Sequence, residues 1–317
     1  MKRALVCFLL LFASPAWPGH GVGHGVDHET DSLMPWLDGG GPPPLDPGDA
    51  AWIRAPTTAV TLYPQATAPG GPGGGTVKLD ARLMAGGGRL AIRLAWPDAT
   101  EDRVDAKAAH HFADAVAIQF APKGATLPYV GMGEPGRPAR LWFWRAGGPA
   151  ERLTAQGFGS LAKEVGAAPE AHARRTATGW EVVLRGEFDA PAAVAFAAWD
   201  GAEDGRAGRK RLSAWRALAQ PCVDMDAGLL GEIRSTGSPS RGAGLYAEHG
   251  CAACHAPGGA LGPDLAHAGG IHRPGYLRRS ILEPAAFLVP GYAAIMPALP
   301  LKPEEVEDLV AYLMTLR

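Results

Sequence analysis

Cysteine is scarce in this chain, with four in 317 residues at positions 7, 222, 251 and 254. Cys222 therefore stands alone, without the further ligands a zinc site needs, and reads as a buried or reactive thiol. A surplus of charge is missing too. Lys and Arg total 30 against 32 Asp and Glu, a net charge of −2, which argues against a polyanion partner such as nucleic acid. Long apolar runs are absent beyond the first residues. Ala4 to Ala13 is well short of the roughly 18–20 residues that span a bilayer, so no membrane span is expected in the mature chain. With Lys2 and Arg3 before it and Ser14 and Ala16 after it, this run reads as a secretory signal cleaved after Ala16. The leader carries no twin-arginine pair, so the expected route is unfolded export and the expected location is the periplasm.

Gly (43) and Pro (29) are abundant and favour β-rich architecture with many turns. Residues 17–50 read as irregular. His20, His24 and His28 sit there among glycines that would not hold them on one face. Residues 51–220 carry short apolar runs at Val60–Tyr63, Arg89–Trp96, Asp114–Phe120, Ala139–Arg145, Gly179–Leu184 and Ala192–Trp199. They predict an antiparallel β-sandwich, with His110 and His111 at the start of one strand. Residues 221–241 read as a hinge-like linker. From 242 to 317 the signals are helical, ending in Glu304–Leu316 with Val306, Leu309, Val310, Leu313 and Leu316 on one face.

Within the helical part lies Cys251-Ala-Ala-Cys254-His255, the CxxCH spacing of covalent haem c attachment. Cys251 and Cys254 would form thioethers and His255 would be the proximal iron ligand. A thioredoxin-like pair would want a βαβ setting, which the pattern lacks, and neither it nor zinc explains the histidine. In the β region two segments stand out, Tyr129–Gly136, with Met132 between glycines, and Trp199–Lys210. Taken alone, Met132 reads equally as a gap-filling loop residue, and Lys210, between Arg209 and Arg211, as part of a solvated basic loop.

The 241–317 segment resembles class I cytochromes c in Gly242, Tyr246, the haem motif, Gly262-Pro263-Asp264-Leu265, Met296-Pro297 and the closing helix. The resemblance implies that the Pro263 carbonyl orients His255 and that Met296 is the sixth ligand. Met314, His267 and His272 remain rivals for that position. Asp46-Pro47, Ala113–Phe120, Gly131–Gly136, Trp199–Gly201, Gly208–Lys210 and Ser213–Trp215 resemble the haem b (gamma) subunits of type II DMSO-reductase-family molybdoenzymes. That family includes ethylbenzene and dimethylsulfide dehydrogenases and selenate and chlorate reductases. It implies one non-covalent haem b with Met132 and Lys210 as axial ligands, and Arg209 and Arg211 as candidate partners of its propionates. The fused haem c module departs from those subunits.

The combined expectation is a mainly β N-terminal domain plus a small all-α cytochrome c domain. It would hold one haem b and one covalent haem c and perform no bond chemistry itself. It would pass single electrons between the iron–sulfur subunit of a complex with a molybdopterin catalytic subunit and a soluble or membrane redox partner. The alternative is a cytochrome c fused to a carbohydrate- or small-ligand-binding sandwich, with Trp142 and Trp144 as a sugar platform.

Overall fold

The computed structural model describes residues 32–37, 40–66, 74–105, 111–124, 126–189, 191–219, 225, 227–258 and 261–317. The signal segment with Cys7, the His20/His24/His28 tail, His110 and Cys222 lie outside the described residues. The strands are β1 (Ser32–Leu33), β2 (Trp36–Leu37), β3 (Thr58–Pro64), β4 (Val77–Gly86), β5 (Arg89–Pro97), β6 (Ala115–Ala121), β7 (Ala139–Arg145), β8 (Glu151–Ala155), β9 (Ala162–Lys163), β10 (Glu170–Arg175), β11 (Gly179–Glu187), β12 (Ala193–Trp199), β13 (Arg211–Leu212) and β14 (Arg216–Leu218). The helices are α1 (Ala227–Ile233), α2 (Pro239–Glu248), α3 (Ala268–Ile271), α4 (Pro274–Leu282) and α5 (Pro303–Leu313).

Hydrogen bonding runs in the order β10-β11-β5-β4-β3-β13-β12-β6-β7-β8-β9. The short pairing of β13 with β3, Arg211 opposite Pro64 and Leu212 opposite Tyr63, joins two layers into a sandwich. Its core forms where Leu62, Leu79, Ile92 and Leu94 of one layer meet Val116, Ile118, Trp142 and Phe196 of the other. All six runs expected as strands are strands. His111 differs, being coil four residues ahead of β6.

The second layer is buried on both faces, which explains why every residue of β6 is buried. Its outer face is rich in alanine (Ala117, Ala193, Ala195, Ala197, Ala217) and packs against Leu229 and Ile233 of α1 and Ile271 of α3. Small side chains let other elements approach a pleated face closely, and this is the face on which the site is built.

Two boundaries differ from the sequence reading. Part of the irregular 17–50 segment joins the sheets: β1 pairs with β14, β2 pairs with β4, and Leu33 enters the core. Two-residue strands carry too little alternation to be seen in a sequence. The 221–241 segment also contains α1, whose Leu229 and Ile233, four apart on one face, are buried against the sandwich. Among its described residues it is a packed connector rather than a loose hinge.

The helical module closes around Val306, Leu309, Val310 and Leu313 of α5 together with Leu277 of α4. It docks directly on the sandwich. Ala214 donates its N–H to the Gly270 carbonyl at 3.1 Å. Arg279 donates to the Leu127 carbonyl at 3.0 Å and pairs with Glu232 at 2.5 Å. The buried Arg273 guanidinium donates to the Trp215 carbonyl. Among the described residues no helix is long and apolar enough to cross a membrane.

Candidate functional site

Two cavities carry the chemistry, one in each module. The larger, about 470 Å³, opens on the outer face of the second layer. Strand alternation decides its walls: Leu141, Phe143 and Arg145 of β7 line it, while Trp142 and Trp144, between them, turn into the sandwich core. Met132 enters from the β6–β7 loop with φ 151°, a region that disfavours side-chain-bearing residues. That loop is pinned at Tyr129, whose carbonyl accepts from Gly133 N at 2.7 Å. Trp199, Gly208, Phe158 and Leu161 complete the wall, with Gly208 beside the Phe158 ring.

Lys210 is 2% exposed. Its Nζ lies 3.5 Å from the carbonyl of Gly131, the residue before Met132, and 5.3 Å from the centre of the Trp199 ring. Burial alone pushes its pKa down to about 7. A buried lysine so close to neutrality offers an amine lone pair that an exposed one withholds. Gln65 is its cross-strand neighbour, donating its backbone N–H to the Lys210 carbonyl at 3.0 Å in continuation of the β3–β13 register. Opposed residues on antiparallel strands point to one face. The Gln65 amide is fully buried, and neither its nitrogen nor its oxygen has a hydrogen-bond partner.

Arg209 and Arg211 do not line this cavity. Lys210 is not in its lining either but is buried beside it, and the chain just before it is a tight turn, with Arg209 N donating to the Arg206 carbonyl at 2.7 Å and Lys210 N to the Gly208 carbonyl at 2.9 Å. Arg211 pairs with Glu203 at 2.7 Å and donates to the Gly75 carbonyl, and Arg209 reaches the Glu203 carbonyl at 3.5 Å. The arginines at the cavity wall are Arg145 and Arg206, the latter held over the Phe112 ring at 4.5 Å. His111 also lies at this wall.

The smaller cavity, about 250 Å³, is lined by Cys251, Cys254, His255 and Met296. Gly250, at φ 64°, ends the turn after α2 and starts a single 3-10 turn over Cys251–Ala253. Both cysteines are free thiols and half-buried. His255 Nδ1 lies 2.8 Å from the Pro263 carbonyl, which fixes the ring and leaves Nε2 facing the cavity as a donor atom. Of the rivals to Met296, Met314 packs in the helical core and His267 packs against the Tyr63 ring at 5.5 Å, and neither lines the cavity. His272 does. It is 3% exposed, stacked on Tyr276 at 4.4 Å, and burial drives its pKa down to about 3.

Two family models match the chain, one within the β part and one over the helical part. A model described as ethylbenzene dehydrogenase matches residues 49–181, and one for cytochrome c matches 239–317. The chlorate reductase subunit gamma of Ideonella dechloratans is 36% identical over 60% of this chain and 84% of its own length. The chain belongs to this gamma-subunit family. A protein of Haloferax mediterranei, named as a respiratory nitrate reductase haem subunit, is 31% identical over 54% of this chain and 67% of its own. The dimethylsulfide dehydrogenase subunit gamma of Rhodovulum sulfidophilum is 29% identical over 54% and 72%. Among solved structures, a family 9 carbohydrate-binding module of Caldicellulosiruptor kristjanssonii has 7% identity, covers 62% of this chain and 98% of its own, and reaches a TM-score of 0.38, too distant to carry an argument.

This gamma-family chain is thus a haem-bearing electron-transfer subunit, not a catalytic one, with a cytochrome c domain joined to it. The residues present fit both groups. The larger cavity is lined by the Met132 thioether, with the near-neutral Lys210 amine and the orphaned polar atoms of Gln65 buried beside its wall, and the smaller offers two thiols, an oriented imidazole and a second thioether. Burial of Trp142 (7% exposed) and Trp144 (5%) removes the sugar platform. Sequence reasoning singled out neither Gln65 nor Phe158, and it marked Tyr129 only as the start of the Met132 segment. Gln65 had one detectable signal, a polar residue at the end of an otherwise buried strand.

Proposed function

We propose that this chain is a periplasmic dihaem subunit that carries single electrons between the iron–sulfur subunit of a molybdopterin enzyme and an external redox partner. The observation that supports this reading most strongly is one chain holding two separate cavities, one lined by Met132 with Lys210 buried beside its wall against Gly131 and Trp199, the other lined by Cys251, Cys254, His255 and Met296. Met132 and the neutral amine of Lys210 would hold a non-covalent haem b. Cys251 and Cys254 would bind haem c covalently, with His255 and Met296 on its iron. Once bound, each haem supplies a one-electron iron couple.

The remaining work falls to the chain's own side chains. Burial keeps Lys210 ready to lose its proton, a step that guanidinium groups such as Arg209 and Arg211 cannot take. Gln65 is placed to satisfy the amine or a polar haem edge, and Arg145 and Arg206 are placed to meet propionates at the mouth. Pro263 holds His255 in the tautomer that binds iron through Nε2. The two thioethers, soft and neutral, favour the reduced iron.

A pyridine haemochrome spectrum of the periplasmic protein is expected to show haem b and haem c in equal amounts. A molybdopterin subunit and an iron–sulfur subunit are expected to co-purify with it. Haem c alone, or a gently isolated chain with neither partner, rejects the proposal.

A further inference from the structure

The two cavities are joined by packed aromatic rings. Tyr129 is completely buried. On one side its ring lies 6.3 Å from Phe158, which lines the larger cavity. On the other it lies 5.0 Å from Phe287, 5.4 Å from Tyr276 and 5.8 Å from His272, all of which line the smaller cavity. A single buried ring therefore separates the wall of one cavity from the wall of the other.

Its placement is tied to the ligand loop. Tyr129 begins the turn that carries Met132, and Lys210 Nζ contacts Gly131 in the same turn. Gly131 is the residue the Tyr129 ring folds back upon, since a Cβ there would stand 2.4 Å from Tyr129 Cε1. Only glycine allows this approach. The partner rings come from the helical module, which the Arg279–Glu232 pair and the Arg273–Trp215 contact hold against the sandwich.

We propose that Phe158, Tyr129 and the Phe287/Tyr276 pair form the internal electron path between the two haems, so that transfer within the chain needs no release of the helical module. The inference rests on the dihaem reading. One electron leaves the ferrous iron on one side and reduces the ferric iron on the other; no bond forms or breaks and no proton is required. Closely packed atoms couple donor and acceptor better than a gap does, and an aliphatic replacement leaves such a gap. Tyr129 and Phe158 are positioning residues, because neither reaches an iron ligand position.

The test is the rate of electron transfer between haem b and haem c in the intact protein after photochemical reduction, with haem content and both midpoint potentials measured alongside. Tyr129→Leu and Phe158→Leu are each expected to slow transfer roughly tenfold or more through the lost ring contact, with both haems present and the slowing persisting after the rate is corrected for the measured midpoint potentials. Tyr129→Phe, which keeps the ring, is expected to transfer at the wild-type rate. Wild-type rates in both leucine variants, or equal slowing by Tyr129→Phe, would overturn the path. A wild-type protein that lacks haem b fails the dihaem reading instead, and that outcome is read from its spectrum before any rate is measured.

Discussion

The two candidate haem sites are built in opposite ways. In the helical module the chemistry is nearly contiguous: Cys251, Cys254 and His255 lie within five residues, and Pro263, eight further on, orients the imidazole. Their surroundings are open, with both cysteines half-buried and Met296 38% exposed. In the sandwich, Met132, Lys210 and Gln65 come from three distant parts of the chain, and Lys210 and Gln65 are almost wholly buried. A covalent attachment needs only a local motif. A non-covalent one must be enclosed, and its ligands must be desolvated by the fold itself. Local damage should therefore erase the first site, whereas the second depends on the whole β layer.

The largest effect is expected from Cys251→Ala with Cys254→Ala, which should abolish covalent haem c and leave the b-type spectrum in place. Loss of both haems would mean that the docked modules do not fold separately. Lys210→Ala should next remove or alter the b-type signal with haem c still attached, and Lys210→Arg should not rescue it, because guanidinium keeps its proton. An unchanged b-type spectrum in both variants removes Lys210 from the ligand set.

A smaller change is expected from Gly262→Ala. Its Cβ would stand 2.9 Å from His255 Cε1 and 3.0 Å from Nδ1, loosening the bond to Pro263. Losing a hydrogen bond of about 1 kcal/mol makes the imidazole a weaker donor to ferric iron. The haem c potential should rise by roughly 20–60 mV, read by redox titration, while haem b keeps its value.

The smallest effect lies away from either cavity. Asp98 is buried beside Asp114, and burial first and that carboxylate second raise its pKa to about 6. A raised carboxyl pKa means the folded state holds a proton the unfolded state has lost, so its ionisation destabilises the fold as pH climbs from about 4 through 6. Asp98→Asn should stabilise the sandwich by about 1 kcal/mol at pH 7–8, and the gain should fade as pH drops toward 4. A thermal melt series checks both the size and the fading.

Six strands were legible because their apolar runs were continuous enough to show, whereas β4, β8 and β10, with charged residues at their less buried positions, were not read. Nor were the short β1, β2 and β13, although β13 joins the layers and sets Lys210 against Gln65. Residue type marked Lys210 and Met132 only once the family resemblance was added, because a basic loop and a methionine between glycines have ordinary explanations. For Arg209 and Arg211, adjacency in sequence misled. Glu203 takes up both of them, its carboxylate pairing with Arg211 and its carbonyl accepting from Arg209. The connector with α1 was misread for a related reason, since its glycine, serine and proline content hid a two-residue apolar contact.

The sequence by itself determined the haem c attachment motif, the imidazole beside it, the β-then-α order and the amphipathic closing helix. These depend on spacing along the chain, which primary structure carries directly. Tertiary structure alone decided which arginines reach the larger cavity, that Gln65 faces Lys210, and that Tyr129 stands between two cavities. Those facts depend on strand register, on burial and on how one module docks against the other, and they arise only when residues far apart in sequence are brought within a few ångströms.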